Sequence, residues 1–162
     1  MMKKEIIKTL SLEPHPSEGG FFKRTYTSEI EAPCPVGTRK TLSSIYYMLT
    51  DDSPIGYLHK NQSDIIHYFH SGSAISYTII HPDGRLETQT LGNDLSQGQT
   101  PQLTVKGGCW KASKLNEGEY GLLSEAVSPG FKYEDMELAC TTNIRERFPE
   151  LLDMVKSYIY QA

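Results

Sequence analysis

Apolar and polar residues in the middle of the chain fall into short runs separated by turn signals. "IIHYFH" (65–70), "AISYTII" (74–80), "LETQTL" (86–91) and "YGLLSEAV" (120–127) each read as one strand. "LSSIYYML" (Leu42–Leu49) is apolar and aromatic throughout, which predicts a strand buried on both faces. Ser71-Gly72-Ser73 joins two of the runs. The proline-aspartate-glycine stretch His81–Arg85 and the "LNEGEY" stretch Leu115–Tyr120 each predict a hairpin turn. Turns spaced about eight to twelve residues apart point to an all-β sandwich or barrel. Helical periodicity is confined to the two ends. Lys3–Leu10 is a short candidate. Phe148–Tyr160 places Leu151, Leu152, Val155, Tyr158 and Ile159 on one helical stripe, with Pro149 near its start.

A chain of 162 residues fits a single domain, 1–162, with room for a real core. Its net charge is −4, and like charges nowhere form a long block, which argues against duplex nucleic acid as a partner. The opening "MMKKEIIKTLSLEP" is interrupted by Glu5 and Lys8, so it reads as neither a signal peptide nor a membrane span. Cys34, Cys109 and Cys140 are widely spaced, odd in number and form no CxxC pair, the pattern of free thiols in the cytoplasm.

A closed barrel of this size can enclose one small ligand. The chemistry then lies on inward side chains, and the crowded stretch "YLHKNQSDIIHYFH" (Tyr57–His70) supplies His59, Asp64, His67 and His70.

The order of motifs resembles a small branch of the cupin superfamily, long catalogued as a domain of unknown function. The resemblance rests on "LEPHPSEGGFFKRTY" (Leu12–Tyr26), "SSIYYML" (Ser43–Leu49), "LGNDLSQGQTPQ" (Leu91–Gln102), "GGCWKA" (Gly107–Ala112) and "SPGFKYEDMELA" (Ser128–Ala139). It implies a double-stranded β-helix, or jelly-roll, barrel with short terminal helices, and a homodimer. The contacting segment would be Phe21–Ile30, which covers barrel edges that would otherwise carry unpaired backbone groups.

Metal-binding cupins use His-x-His, a Glu and a later His. On this chain those positions hold His59, Asn61, Ile65 and Lys111. An isoleucine cannot ligate, and a lysine must first lose its proton. The resemblance therefore implies no metal or other cofactor. The branch also usually reads "SDExWHFYxG" where this chain reads "SDIIHYFHSG", so Ile65 replaces a Glu and His67 a Trp. With position 65 inward, the period of two carries His67 and Phe69 inward, and turns Ile66, Tyr68 and His70 outward.

His59, His67 and Lys111 are accordingly the candidate catalytic residues. Tyr46 or Tyr47, Asn61, Phe69 and Gln102 are the candidate substrate contacts. Each has an ordinary alternative: a hydrogen-bonded core histidine for His59, simple packing for His67, a register slip for Lys111. A lysine inside a barrel is costly unless paired or functional. Beside two histidines it predicts an electropositive pocket that suits an anionic or enolisable ligand. Asp64 reads as a brace, Trp110 as a seal for the barrel, and Glu18, Glu134 and Asp135 as structural or dimer-related. His15 and His81 carry no expected role, and nothing near Cys109 predicts an activated thiolate. "GGFFKR" is no phosphate loop.

Two functions remain open. One is a metal-independent isomerase, epimerase or cyclase acting on a small polar or anionic, sugar-derived ligand. The deoxysugar-nucleotide 3,5-epimerases, which are similar cupins, pair a histidine base with a lysine. The other is a non-catalytic small-molecule-binding module. A metal-dependent oxygenase is a distant third.

Overall fold

The structure, a computed structural model, describes all of residues 1–162. The chain forms strands β1 (Glu13–Pro14), β2 (Phe21–Thr27), β3 (Glu31–Cys34), β4 (Gly37–Lys40), β5 (Ser43–Thr50), β6 (Ile55–Asn61), β7 (Asp64–Gly72), β8 (Ile75–Ile80), β9 (Leu86–Leu91), β10 (Gln102–Val105), β11 (Trp110–Leu115), β12 (Tyr120–Ser128) and β13 (Met136–Leu138). Helices α1 (Lys3–Thr9), α2 (Thr141–Arg147) and α3 (Leu152–Val155) sit at the ends.

Two antiparallel sheets face each other. One has the order β1-β2-β5-β12-β7-β10, the other β13-β6-β11-β8-β9, while β3 and β4 form a separate ribbon. This is an all-β jelly-roll barrel, as the alternation of the middle segments predicts. Inward residues of both sheets, among them Tyr47, Leu49, Ile75, Tyr77, Leu103, Val105 and Leu123, make one interior cluster. The outer face of the first sheet is closed by α1 and the residues just after it, where Ile6 and Leu12 bury Met48 and Leu122. Both faces of β5 are thus covered, so its sequence carries no polar side.

Three local expectations are corrected. "LNEGEY" is not a hairpin: β11 and β12 lie in different sheets, so the turn crosses from one wall to the other. The C-terminal stripe is not one helix. Phe148–Tyr160 is broken into a 3-10 turn at Pro149–Leu151, α3 and a last 3-10 turn at Lys156–Tyr158, and α2, which precedes it, is not expected from the sequence pattern. Pro149 lacks the N–H that would have continued α2 through this point. Trp110 does not seal the barrel interior. It faces outward, 1% exposed, beneath the C-terminal segment with Leu58, Ile80, Ile144 and Phe148. Lys60 Nζ and Arg147 Cζ lie 5.0 and 5.6 Å from its ring. The hairpin at His81–Arg85 forms as predicted, pairing β8 with β9.

Gly72 ends β7 at φ +88°, and a side chain there would press a Cβ to 2.3 Å from the Tyr120 carbonyl oxygen. Only glycine tolerates both constraints. Gly72 pairs with Gly121; a bulge at His70 follows, beyond which Phe69, His67 and Ile65 pair with Leu123, Glu125 and Val127.

Candidate functional site

Strand pairing assembles the site from two facing walls. In one sheet Lys111 lies directly opposite His59, so their Cβ atoms are about 5 Å apart on the same face. In the other, Glu125 lies opposite His67. Lys111 then reaches across the barrel. Its Nζ donates to His67 Nε2 (2.6 Å) and to Glu125 Oε1 (3.3 Å), and Glu125 Oε1 is 3.4 Å from His67 Nε2. All three side chains are buried, with Lys111 5% and His67 0% exposed.

Hydrogen-bond geometry fixes the tautomer of His67. Its Nδ1 faces the Leu103 carbonyl at 3.2 Å and must donate there, which leaves Nε2 bare to accept from Lys111. Burial and the neighbouring ammonium push its pKa down to about 3, so the ring is neutral at pH 7. Burial pushes the Glu125 carboxyl up, but Lys111, His67 and His59 outweigh it and hold the group down at about 2. Lys111 is thus a paired interior lysine, and His67 spends its one free lone pair holding it.

His59 has a different surrounding. Its Nδ1 lies 2.6 Å from the Tyr57 carbonyl and donates to it. Its Nε2 points at Glu18 Oε1, 3.5 Å away. At that distance Nε2 makes no hydrogen bond to the carboxylate, and its lone pair stays free. Glu18 Oε2 in turn lies 3.4 Å from His15 Nε2. The backbone N–H groups of Ser17 and Glu18 donate to His15 Nδ1 (3.3 and 3.0 Å), which places the ring hydrogen on Nε2, toward Glu18. Burial lowers the pKa of His15. The line His15–Glu18–His59 exists because the chain turns sharply at Gly19-Gly20. The Tyr57 N–H binds the Glu18 carbonyl (2.7 Å), and the Tyr47 hydroxyl binds that of Gly19 (2.8 Å).

A hollow opens beside His15, Glu18 and Glu125. His15, Glu18, Asn61 and Glu125 line it with the apolar Phe22, Ile45, Ile65, Val127 and Phe131, and Arg24 and Tyr133 stand at the mouth. It spans about 410 Å³ counted out to the mouth, of which about 30 Å³ is free to a whole water. A second, filled crevice shares Asn61 and Ile65 with it and leads to His59, Lys111 and Cys109.

The structure brings His59, His67, Lys111 and Asn61 together. Tyr47 faces inward, but its hydroxyl is occupied by Gly19. Phe69 points inward at the other end of the barrel, away from the hollow. Two expected contacts are corrected. Tyr46 turns outward, against the cluster under α1, with its ring 6.1 Å from that of His70. Gln102 is exposed, because on β10 the inward positions are Leu103 and Val105. The electropositive pocket is corrected too, since Glu18 and Glu125 offset Lys111. His15, given no role on sequence grounds, and Glu18 both line the hollow. Glu125 went unread, although "LLSEAV" sets it between Leu123 and Val127 on one period-two face, and an acid between two inward apolar residues is a signal. Asp64 is a brace, accepting from the Gly107 N–H at 2.8 Å. Cys109 Sγ lies 3.6 Å from His81 Nδ1, and His81 Nε2 lies 2.5 Å from Glu87, but burial pushes the thiol pKa up and keeps it protonated.

A model of the Cupin superfamily (DUF985) matches residues 4–139. The chain belongs to that family. It is similar to an uncharacterised protein of Saccharomyces cerevisiae, 41% identical over 146 residues, covering 81% of this chain and 72% of the yeast protein. Among solved structures, a hypothetical protein from Leishmania major superposes with a TM-score of 0.93 at 28% identity, covering 99% of this chain and 100% of that one. A Shewanella oneidensis protein gives 0.89 at 34%, covering 100% and 99%. The oxalate decarboxylase of Bacillus subtilis shares the fold at a TM-score of 0.58 and 18% identity, with 94% of this chain matched to 40% of that enzyme.

Cupins with a metal hold it at the positions occupied here by His59, Asn61, Ile65 and Lys111. The isoleucine has no donor atom, and the lysine is already committed to Glu125 and His67. This set does not fit a transition-metal ion.

Proposed function

We propose that this cupin is a metal-independent enzyme that moves a proton at the carbon next to a carbonyl in a small polar molecule, as an isomerase or epimerase does. One observation carries the reading. His59 Nε2 lies 3.5 Å from Glu18 Oε1 on one side of the barrel, and a buried ammonium, Lys111, stands directly opposite His59 in the strand register. The chemistry needs these two parts. His59 Nε2 takes the proton from carbon, the electron pair moves onto the carbonyl oxygen, and Glu18 stabilises the imidazolium that forms. Lys111 stabilises the negative oxygen that forms. Return of the proton to the opposite face gives an epimer, and to the neighbouring carbon an isomer. His67 is a positioning residue that holds Lys111.

A non-catalytic binding module is the second reading, favoured by the small free volume and by the full pairing of Lys111. Deuterium exchange separates the two. Aldoses, ketoses and keto acids are incubated in D2O and followed by NMR. Deuterium entering the position next to the carbonyl with the native protein, and not with His59→Gln, supports the enzyme. Binding of the same compounds with no exchange supports the module.

We also propose that a second copy is the partner. Tyr26 and Ile30 are 54% and 70% exposed, and both lie in the Phe21–Ile30 segment whose apolar side chains a dimer would cover.

A further inference from the structure

Polar residues that line the hollow have unused hydrogen-bonding capacity, and their chemistry limits the group that would fit there. Asn61 is 7% exposed, and its Oδ1 has no hydrogen-bond partner. A buried amide oxygen left bare is costly, and few persist in folded proteins. Glu18 has only the two long imidazole contacts. Glu125 uses Oε1 for Lys111 and His67, and its second oxygen faces the hollow. Donors face the same space. Ser43 Oγ accepts from the Phe131 N–H (2.9 Å) and has its own hydrogen to give, and Asn61 Nδ2 lies beside its orphaned oxygen.

Three kinds of small polar group can be weighed against this inventory. An anion would meet two carboxylates, and the one interior ammonium is already paired. An ammonium could satisfy the carboxylates but offers nothing to Asn61 Nδ2 or Ser43, and it would sit near Lys111 with Arg24 at the mouth. A hydroxyl both donates and accepts, so it can bind the amide oxygen and a donor at once. Apolar walls from Phe22, Ile45 and Phe131 suit the carbon skeleton that carries it.

We propose that the ligand bears a free hydroxyl on the carbon adjacent to its carbonyl, seated on Asn61. The substrate class is the neutral α-hydroxy carbonyl compounds, the chemistry of simple aldoses and ketoses. This rests on the proton-transfer reading above, and it replaces the anionic ligand expected from the histidines and lysine alone.

The test uses four probes without stereocentres: 1,3-dihydroxyacetone, acetone, acetate and methylammonium. Their binding to the full chain is followed by NMR titration. Dihydroxyacetone should bind at least about tenfold more tightly than acetone, the discrimination expected when a buried partner is left unpaired. Asn61→Leu should abolish that preference without lowering the melting temperature, which separates a lost seat from a lost fold. Equal binding of dihydroxyacetone and acetone, tighter binding of acetate or methylammonium, or no binding of any probe would each overturn the proposal. The proton-transfer reading fails separately. Exchange that persists on ketones lacking the hydroxyl sinks only the hydroxyl seat. A hydroxyl preference with no exchange on any carbonyl compound sinks only the catalysis.

Discussion

Removing Glu125 should show what the buried triad does for the fold. Glu125→Leu keeps nearly the same volume but leaves the Lys111 ammonium 5% exposed with only the neutral His67 nitrogen beside it. An uncompensated buried charge costs about 3–5 kcal/mol. That is a large part of the roughly 5–15 kcal/mol that holds a domain folded. At about 2–4 °C per kcal/mol for a chain of this length, the melting temperature should fall by about 6–20 °C. Lys111→Met should cost a similar amount, because it strands the Glu125 carboxylate and bares His67 Nε2. The double variant should not cost the sum. With both charges gone, only His67 Nε2 remains unsatisfied, a penalty of about 1–3 kcal/mol. Urea unfolding of the native protein, both single variants and the double variant gives the cycle. If the single costs add to the double within about 0.5 kcal/mol, the two residues are not coupled and the pairing argument is wrong.

Acid should weaken the fold through His67. Its folded pKa of about 3 lies below the ordinary 6.5, so the unfolded chain binds the proton first. The stabilisation is complete above pH 6.5 and is lost as pH falls toward 3, at about 1.4 kcal/mol per unit, or roughly 3 kcal/mol by pH 4. Glu125, held at about 2 against an ordinary 4.5, extends the same trend between those values. Urea midpoints at pH 7, 5.5 and 4 should show the slope, and His67→Gln should flatten the upper part. Elemental analysis of protein purified without chelator should find well under one transition-metal ion per chain, and a full equivalent would reinstate the oxygenase. Light scattering should give a mass near twice the 18.2 kDa of one chain, and a monomer mass at micromolar concentration contradicts the dimer.

Half of the site was legible because alternation is rigid once its phase is known. On β7 the motif alignment marks Ile65 as inward, and His67 and Phe69 follow, with Tyr68 and His70 outward and exposed, while Gly72 lies beyond a bulge that resets the alternation. Lys111 opposite His59 follows from the motif spacing. Where the phase is not marked, alternation says nothing. Tyr46 and Tyr47 are identical side chains on a strand covered on both faces, so the pattern could not say which points in. Gln102 lies one step out of phase on a four-residue strand. Turn chemistry has a similar blind spot, since "LNEGEY" bends the chain equally well within a sheet or between two. His15 and Glu18 were hidden for another reason. They lie outside regular strand alternation, and they reach the barrel only because the positive-φ glycines that follow fold the segment over its rim.

The family match ends at Ala139, yet the folding unit does not. Ile144, Phe148, Leu151, Val155 and Ile159, all beyond that point, bury the outer face of the sheet that carries Trp110. At about 1.5–3 kcal/mol each they contribute roughly 8–15 kcal/mol, as much as the whole margin of stability. Trp110 and Lys111 are consecutive residues pointing to opposite sides of one strand. A fragment trimmed to the recognisable domain would keep every side chain around the hollow and lose the backing that holds Lys111 in place. For expression, crystallography or engineering, the C-terminal segment is therefore part of the pocket, although it touches none of it.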